Sequence, residues 1–96
     1  MTLDELRTRR RNDILQLAAK RGVHNVRVFG SVARGSADGK SDIDFLVDLD
    51  VGRTLFDLSG LLLDLQQLLG QPVDVVTGRT LKPRMRDRVL NEAVPL

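Results

Sequence analysis

Apolar residues recur along this chain with a period that switches repeatedly between helical and extended, and each switch marks an element. Leu3, Leu6, Ile14, Leu15, Leu17 and Ala18 fall at helical spacing, which predicts a first helix over residues 3–21. Thr2 and Glu5 stand as the partners of a capping box at its start, and Gly22 after Lys20-Arg21 is a natural stop. Residues 26–29, Val-Arg-Val-Phe, read as a short first strand. A brief helix is expected from the Ser31 turn to Gly35, and residues 36–40 then form a loop. Residues 42–48 read as a second strand, whose unbroken run Phe45-Leu46-Val47 implies cover on both faces. Thr54, with Asp57 behind it, opens a long helix; Leu55, Leu58, Leu61, Leu62, Leu65, Leu68 and Leu69 form a wide apolar stripe that ends at Gly70. Residues 72–76 give a third strand, and Pro83 sits in the first turn of a last helix reaching about Asn91.

The order helix, strand, short helix, strand, helix, strand, helix predicts an α/β fold: a small mixed sheet of at least three strands flanked by helices. At 96 residues the chain is expected to be one domain, 1–96, with room for one core and no second module. The stripe on the long helix reads as core, with part of it available to a second copy of the chain or to a partner.

Composition narrows the chemistry. Without cysteine there is no disulfide framework, no cysteine zinc site and no thiol nucleophile. The start, MTLDELRTRRRND, is charged where a signal peptide is apolar, and no apolar run reaches membrane-spanning length, so a cytoplasmic protein is expected. The net charge of +2 hides two basic clusters, Arg7, Arg9, Arg10 and Arg11 near one end and Lys82, Arg84, Arg86 and Arg88 near the other. Such clusters serve phosphates or an acidic partner, or are solvated helix faces. With no Tyr, no Trp and three Phe, the chain has few platforms for stacking bases, which disfavours a nucleic-acid binder.

The candidate chemistry lies in residues 30–49. On a strand, the spacing of Asp42 and Asp44 puts both carboxylates on one face, with Ile43 and Phe45 on the other. Adjacent carboxylates repel, and a hard divalent cation such as Mg²⁺ or Mn²⁺ is the usual relief. Gly30-Ser31 follows the first strand, where turn N–H groups and the Ser31 hydroxyl can face a phosphate. Asp74 lies between Val73 and Val75, a costly place to bury an unpaired charge. With the third strand beside the second, it completes a cluster with Asp42 and Asp44 as metal ligand or general base.

Each residue also has a plain structural use. Gly30-Ser31, taken alone, reads as a strand-to-helix turn with a serine cap, Asp42 as a turn cap, Asp44 as an arginine partner and Arg34 as a surface charge. Ser41 suits a local turn bond, Asp48 and Asp50 face solvent, and His24 is a surface histidine beside the Gly22 stop.

Taken in order, Gly30-Ser31-Val32-Ala33-Arg34-Gly35, Ser41-Asp42-Ile43-Asp44 and the later Asp74 resemble the minimal nucleotidyltransferase family of the polymerase β superfamily, over nearly the whole chain. The resemblance implies the polymerase β-like fold and a role as the antitoxin of a toxin–antitoxin pair. It implies that Gly30, Ser31, Arg34 and Ser41 contact the nucleotide, with the β- and γ-phosphates of ATP on the first three. It implies two Mg²⁺ ions on Asp42, Asp44 and Asp74, with Asp74 drawing the proton from the attacking hydroxyl. The implied partner is a HEPN-domain ribonuclease toxin, and the implied reaction moves AMP onto one of its tyrosines. Two alternatives stay open: a non-catalytic antitoxin that neutralises by contact, and nucleotidyl transfer to a small molecule.

Overall fold

The computed structural model describes residues 1–39 and 41–96. The Lys40 end of the expected 36–40 loop lies outside the described residues. The first helical region comprises α1 (Leu3–Glu5), a π-helical stretch over Leu6–Arg10 and α2 (Arg11–Lys20). Then follow β1 (Val23–Phe29), α3 (Gly30–Arg34), β2 (Ile43–Leu49), α4 (Leu55–Leu69), β3 (Val73–Val76), α5 (Pro83–Glu92) and β4 (Val94–Pro95).

The strands form one four-stranded mixed sheet in the order β3-β2-β1-β4. β1 runs antiparallel to both β2 and β4, whereas β2 and β3 are parallel. A parallel pair needs a long crossover, and α4 supplies it. Its start is fixed by a reciprocal cap: the Asp57 carboxylate accepts the Thr54 N–H at 3.0 Å, and the Thr54 hydroxyl accepts the Phe56 N–H at 3.3 Å. Gly70 ends it in the left-handed conformation.

Strand alternation decides what each face carries. Ile43, Phe45 and Val47 of β2 join Val28, Val73 and Val75 against Ile14 and Ala18 of α2 and Leu58, Leu61, Leu65 and Leu69 of α4. Leu46 points the other way and packs with Phe29 and Val89, a smaller cluster that seats α5 on the opposite face. Phe45, Leu46 and Val47 are all fully buried, so the expected cover on both faces is observed. The face under α5 is the one that also carries Asp44.

Four features differ from the sequence reading, each for a physical reason. The first helix is not uniformly α-helical, because residues 6–10 widen to π geometry before α2 begins. β1 begins at Val23 rather than Val26: Asn25 takes a positive φ of 51°, and the register with β2 shifts between His24 and Arg27. That bulge breaks the alternation by which a strand is recognised. Leu55 is not core but exposed, as are Val51, Phe56 and Leu63. The fourth strand was not foreseen, being two residues long and half proline; it pairs Pro95 with Arg27 and Val94 with Val28.

The N-terminal arginines explain why so short a strand stays in place. Arg7 Nε donates to the Pro95 carbonyl at 3.1 Å and Arg11 Nε to the Leu96 carbonyl at 3.2 Å, while the Leu96 N–H donates to the Val26 carbonyl at 3.1 Å. Two residues of the first basic cluster therefore hold the C-terminal strand.

Leu61→Ala should cost about 2–5 kcal/mol of unfolding free energy, since the fully packed site between α4 and the sheet leaves a cavity. Leu63→Ala, on the exposed side of the same helix, should change stability by less than about 0.5 kcal/mol. Urea denaturation of both variants measures the difference.

Candidate active site

β2 and β3 bring the acids together by register. Asp44 and Asp74 are directly paired residues of the parallel ladder, and paired residues of neighbouring strands present their side chains on the same face. Asp42 precedes the first residue of β2, on the same side of the alternation as Asp44. The entry to β2 is pinned by the Ile43 N–H on the Pro72 carbonyl at 3.1 Å, and by Gln71 Nε2 on the Ser41 carbonyl at 3.1 Å. Asp42 and Asp74 are exposed and Asp44 is half-buried, so the cost anticipated for Asp74 falls on Asp44 instead. Burial, then Asp74 and then Asp42 push the Asp44 carboxyl up to about 6; Glu92 adds to the rise and Arg34 opposes it.

Gly30 completes the arrangement from β1. Its predecessor Phe29 pairs with Asp44 across the antiparallel ladder, so the turn after β1 begins over that carboxylate. Gly30 has φ 74°, and a Cβ there would overlap Asp44 Oδ2. Glycine is required twice, by the backbone conformation and by the approach of the acid. Ser31 is not the cap of α3, as a bare turn would have it; the cap position is Phe29, and Ser31 lies inside the first turn. The Gly30 N–H donates to Glu92 Oε1 at 2.7 Å, and Arg34 Nη1 donates to the same carboxylate at 3.0 and 3.2 Å. Glu92, at the end of α5, is a site residue the sequence reading missed. Its one legible sign was a carboxylate just before an apolar C-terminal segment, with nothing to connect it to Gly30.

The other candidates separate from this centre. The Ser41 hydroxyl donates to Asp38 Oδ1 and accepts the Asp38 N–H, both at 3.1 Å, which is a turn bond. Asp48 accepts from Asn25 and from Arg27, both at 2.9 Å, and so belongs to the β1 bulge. Asp50 pairs with His24 at 2.6 Å on the surface. A cleft of about 610 Å³ lies away from these three acids. It lies at the far end of β2 and β3, between Asp48–Arg53, Thr77–Arg79 and Arg86, about 13 Å from Asp44 at strand rise.

Among the described residues, no three Asp, Glu or His side chains converge into a closed metal cage. The donor set nevertheless suits Mg²⁺, which is held by one or two carboxylates together with waters and substrate phosphates rather than by an all-protein cage. Two strand-paired carboxylates, one of them pushed towards its neutral form by burial and then by the other, are such a set. An acidic pair facing an N–H and guanidinium that already hold an anion can grip a phosphorylated ligand at both its metal-bound and its free oxygens.

Residues 10–96 match the nucleotidyltransferase domain family. The chain belongs to that family. A Methanocaldococcus jannaschii protein, provisionally named a protein adenylyltransferase, is 39% identical over 94 residues, covering 98% of this chain and 97% of the relative. Protein adenylyltransferase MntA of Thermococcus cleftensis is 36% identical over 94 residues, covering 98% and 95%. A solved structure described provisionally as a minimal nucleotidyltransferase superposes with a TM-score of 0.85 at 53% identity, covering 100% of this chain and 97% of that one. The same fold recurs, at 23% identity and a TM-score of 0.75, in a toxin–antitoxin crystal structure with AMP-PNP, covering 90% of this chain and 71% of that one. The expected family and its mixed α/β fold are borne out, and the chain is a nucleotidyltransferase.

The raised Asp44 pKa gives this nucleotidyltransferase a measurable pH signature. The charged carboxylate costs the folded state above pH 6, whereas below the unfolded value near 3.8 both states are protonated and the cost vanishes. Stability from this group is thus present at low pH and lost as pH rises through 6. Asp44→Asn should therefore raise the melting temperature in EDTA at pH 8, with the gain shrinking towards pH 4. Equal melting temperatures across that range would contradict the electrostatic account of the site.

Proposed function

We propose that this nucleotidyltransferase moves AMP from ATP to a tyrosine hydroxyl of a HEPN-domain ribonuclease toxin, in the cytoplasm, and is that toxin's antitoxin. The observation that carries the reading is the placement of Asp44 and Asp74 side by side beneath the Gly30 turn. The protein adenylyltransferase names of the two relatives support a protein acceptor. So does the exposure of Asp42 and Asp74, since an acceptor hydroxyl on a folded partner can reach acids that lie outside a deep cavity.

In this proposal the Gly30 N–H, the Ser31 hydroxyl and the Arg34 guanidinium hold the outer phosphates. Ser41 contributes through the Asp38 turn that leads into Asp42. Asp42, Asp44 and Asp74 would hold two Mg²⁺ ions, which when bound neutralise charge around the α-phosphorus and acidify the acceptor hydroxyl. Asp74, exposed like Asp42 and set beside Asp44 on the neighbouring strand, takes the proton of the attacking hydroxyl. The acceptor oxygen forms its bond to the α-phosphorus as the bond to the β-phosphate oxygen breaks, and pyrophosphate leaves with those electrons.

A second reading, an antitoxin that acts by contact alone, is favoured by the exposed Val51, Leu55 and Phe56 beside the cleft lined by Arg53, Arg79 and Arg86. Apolar anchors next to basic groups suit an acidic, partly apolar protein surface.

Intact-mass measurement after incubating the chain with Mg²⁺, ATP and its cognate HEPN-domain protein separates the two. Transfer predicts a gain of one or more AMP units on the partner, reduced at least about a hundredfold in rate by Asp44→Ala or Asp74→Ala. A stable complex with no mass gain on either protein rejects catalysis and leaves the contact reading.

A further inference from the structure

The Glu92 carboxylate occupies the two groups best placed to hold an anion at this site, the Gly30 N–H and the Arg34 guanidinium. We propose that Glu92 is a resident internal ligand of the phosphate cradle, which an incoming nucleoside triphosphate must displace, so that this one side chain sets the enzyme's affinity for its nucleotide. The inference rests on the triphosphate site proposed above and adds a residue to it.

Two observations support exchange rather than a fixed staple. Only the side chain need move. The backbone around Glu92 is held on both sides, by the Ala93 N–H on the Val89 carbonyl at 2.9 Å and by β4, where Arg7 clamps the Pro95 carbonyl and Arg11 the carbonyl of Leu96 just after it. Glu92 carries several rotatable bonds, so its carboxylate can swing away while α5 stays seated on Phe29 and Leu46. Second, the pair is not sealed from water: the Arg34 side chain is 47% exposed and that of Glu92 20%. A half-exposed ion pair is weak enough to be exchanged for a polyphosphate of higher charge.

The carboxylate has a clear use while no nucleotide is bound. A part-buried N–H beside a guanidinium would otherwise lack an acceptor, and Glu92 satisfies both. The substitution Glu92→Gln separates the two contributions: the amide oxygen still accepts the Gly30 N–H, but the charge on Arg34 is released.

The test is calorimetric titration of the whole chain with ATP and Mg²⁺, for wild type, Glu92→Gln, Glu92→Ala and Arg34→Ala, with melting temperatures recorded in parallel. Competition predicts tighter ATP binding in Glu92→Gln by up to about fivefold, the worth of one partly exposed ion pair, even if the variant melts lower. Glu92→Ala should gain at least as much, and Arg34→Ala should lose affinity. A staple predicts the reverse sign, with weaker binding in both Glu92 variants, and that result overturns the inference while leaving the nucleotide site intact. ATP binding by none of the forms overturns the site and the inference together. In the unsubstituted chain, the Glu92 carboxyl carbon resonance should shift as ATP saturates the protein; a resonance that stays fixed while ATP binds also overturns it.

Discussion

Negative charge held close together is the constraint on which the rest of this structure depends. Strand register alone puts Asp44 and Asp74 side by side, and Asp42 and Glu92 add to the same field. Such crowding is unfavourable in a resting protein, and after burial, the leading cause, it helps push the Asp44 carboxyl up to about 6. The fold tolerates it because the opposite side of the sheet is a continuous apolar contact with α2 and α4, anchored by residues that are fully buried. A site whose acids are costly when empty and relieved by cations is poised for phosphate chemistry.

The same sheet couples distant parts of the chain to that centre. Gly30 comes from the end of β1 and can sit over Asp44 only because it lacks a side chain. Glu92 reaches Gly30 because α5 packs through Val89 on Phe29 and Leu46, the residues neighbouring Gly30 and Asp44 in the two strands. β4 then returns along β1 and is held by arginines of the first helical region. The two ends of the chain thus meet on the edge strand, and the geometry around Glu92 depends on both.

Much of this was legible in the sequence, and the exceptions have physical causes. Asp42, Asp44 and Asp74 could be placed on one surface because period-2 alternation fixes a side chain's face once the strand is known. The start of α4 could be read because its cap is local, Thr54 with Asp57. β1 was cut short because Asn25, in the left-handed region, interrupts the alternation from inside the strand. The two-residue β4 has too little pattern to detect, and the Arg7 and Arg11 bonds that hold it span nearly the whole chain. Glu92 escaped for the same reason: its partners lie 62 and 58 residues away, and no local pattern encodes a contact of that range. The leucine stripe was legible as core in Leu58, Leu61, Leu65 and Leu69, but Leu55, in the first turn of α4, stays exposed.

The central claim is that the Asp44–Asp74 pair and the Gly30 turn form one centre that grips a nucleoside triphosphate from both sides. A crystal structure of the chain with Mg²⁺ and a non-hydrolysable ATP analogue tests it most directly. The account predicts an α-phosphate beside Asp44 and Asp74, outer phosphates on the Gly30 N–H and Arg34, and the Glu92 side chain turned away. A nucleotide seated instead in the cleft between Asp48–Arg53 and Thr77–Arg79, with Glu92 still bound to Gly30, would contradict it.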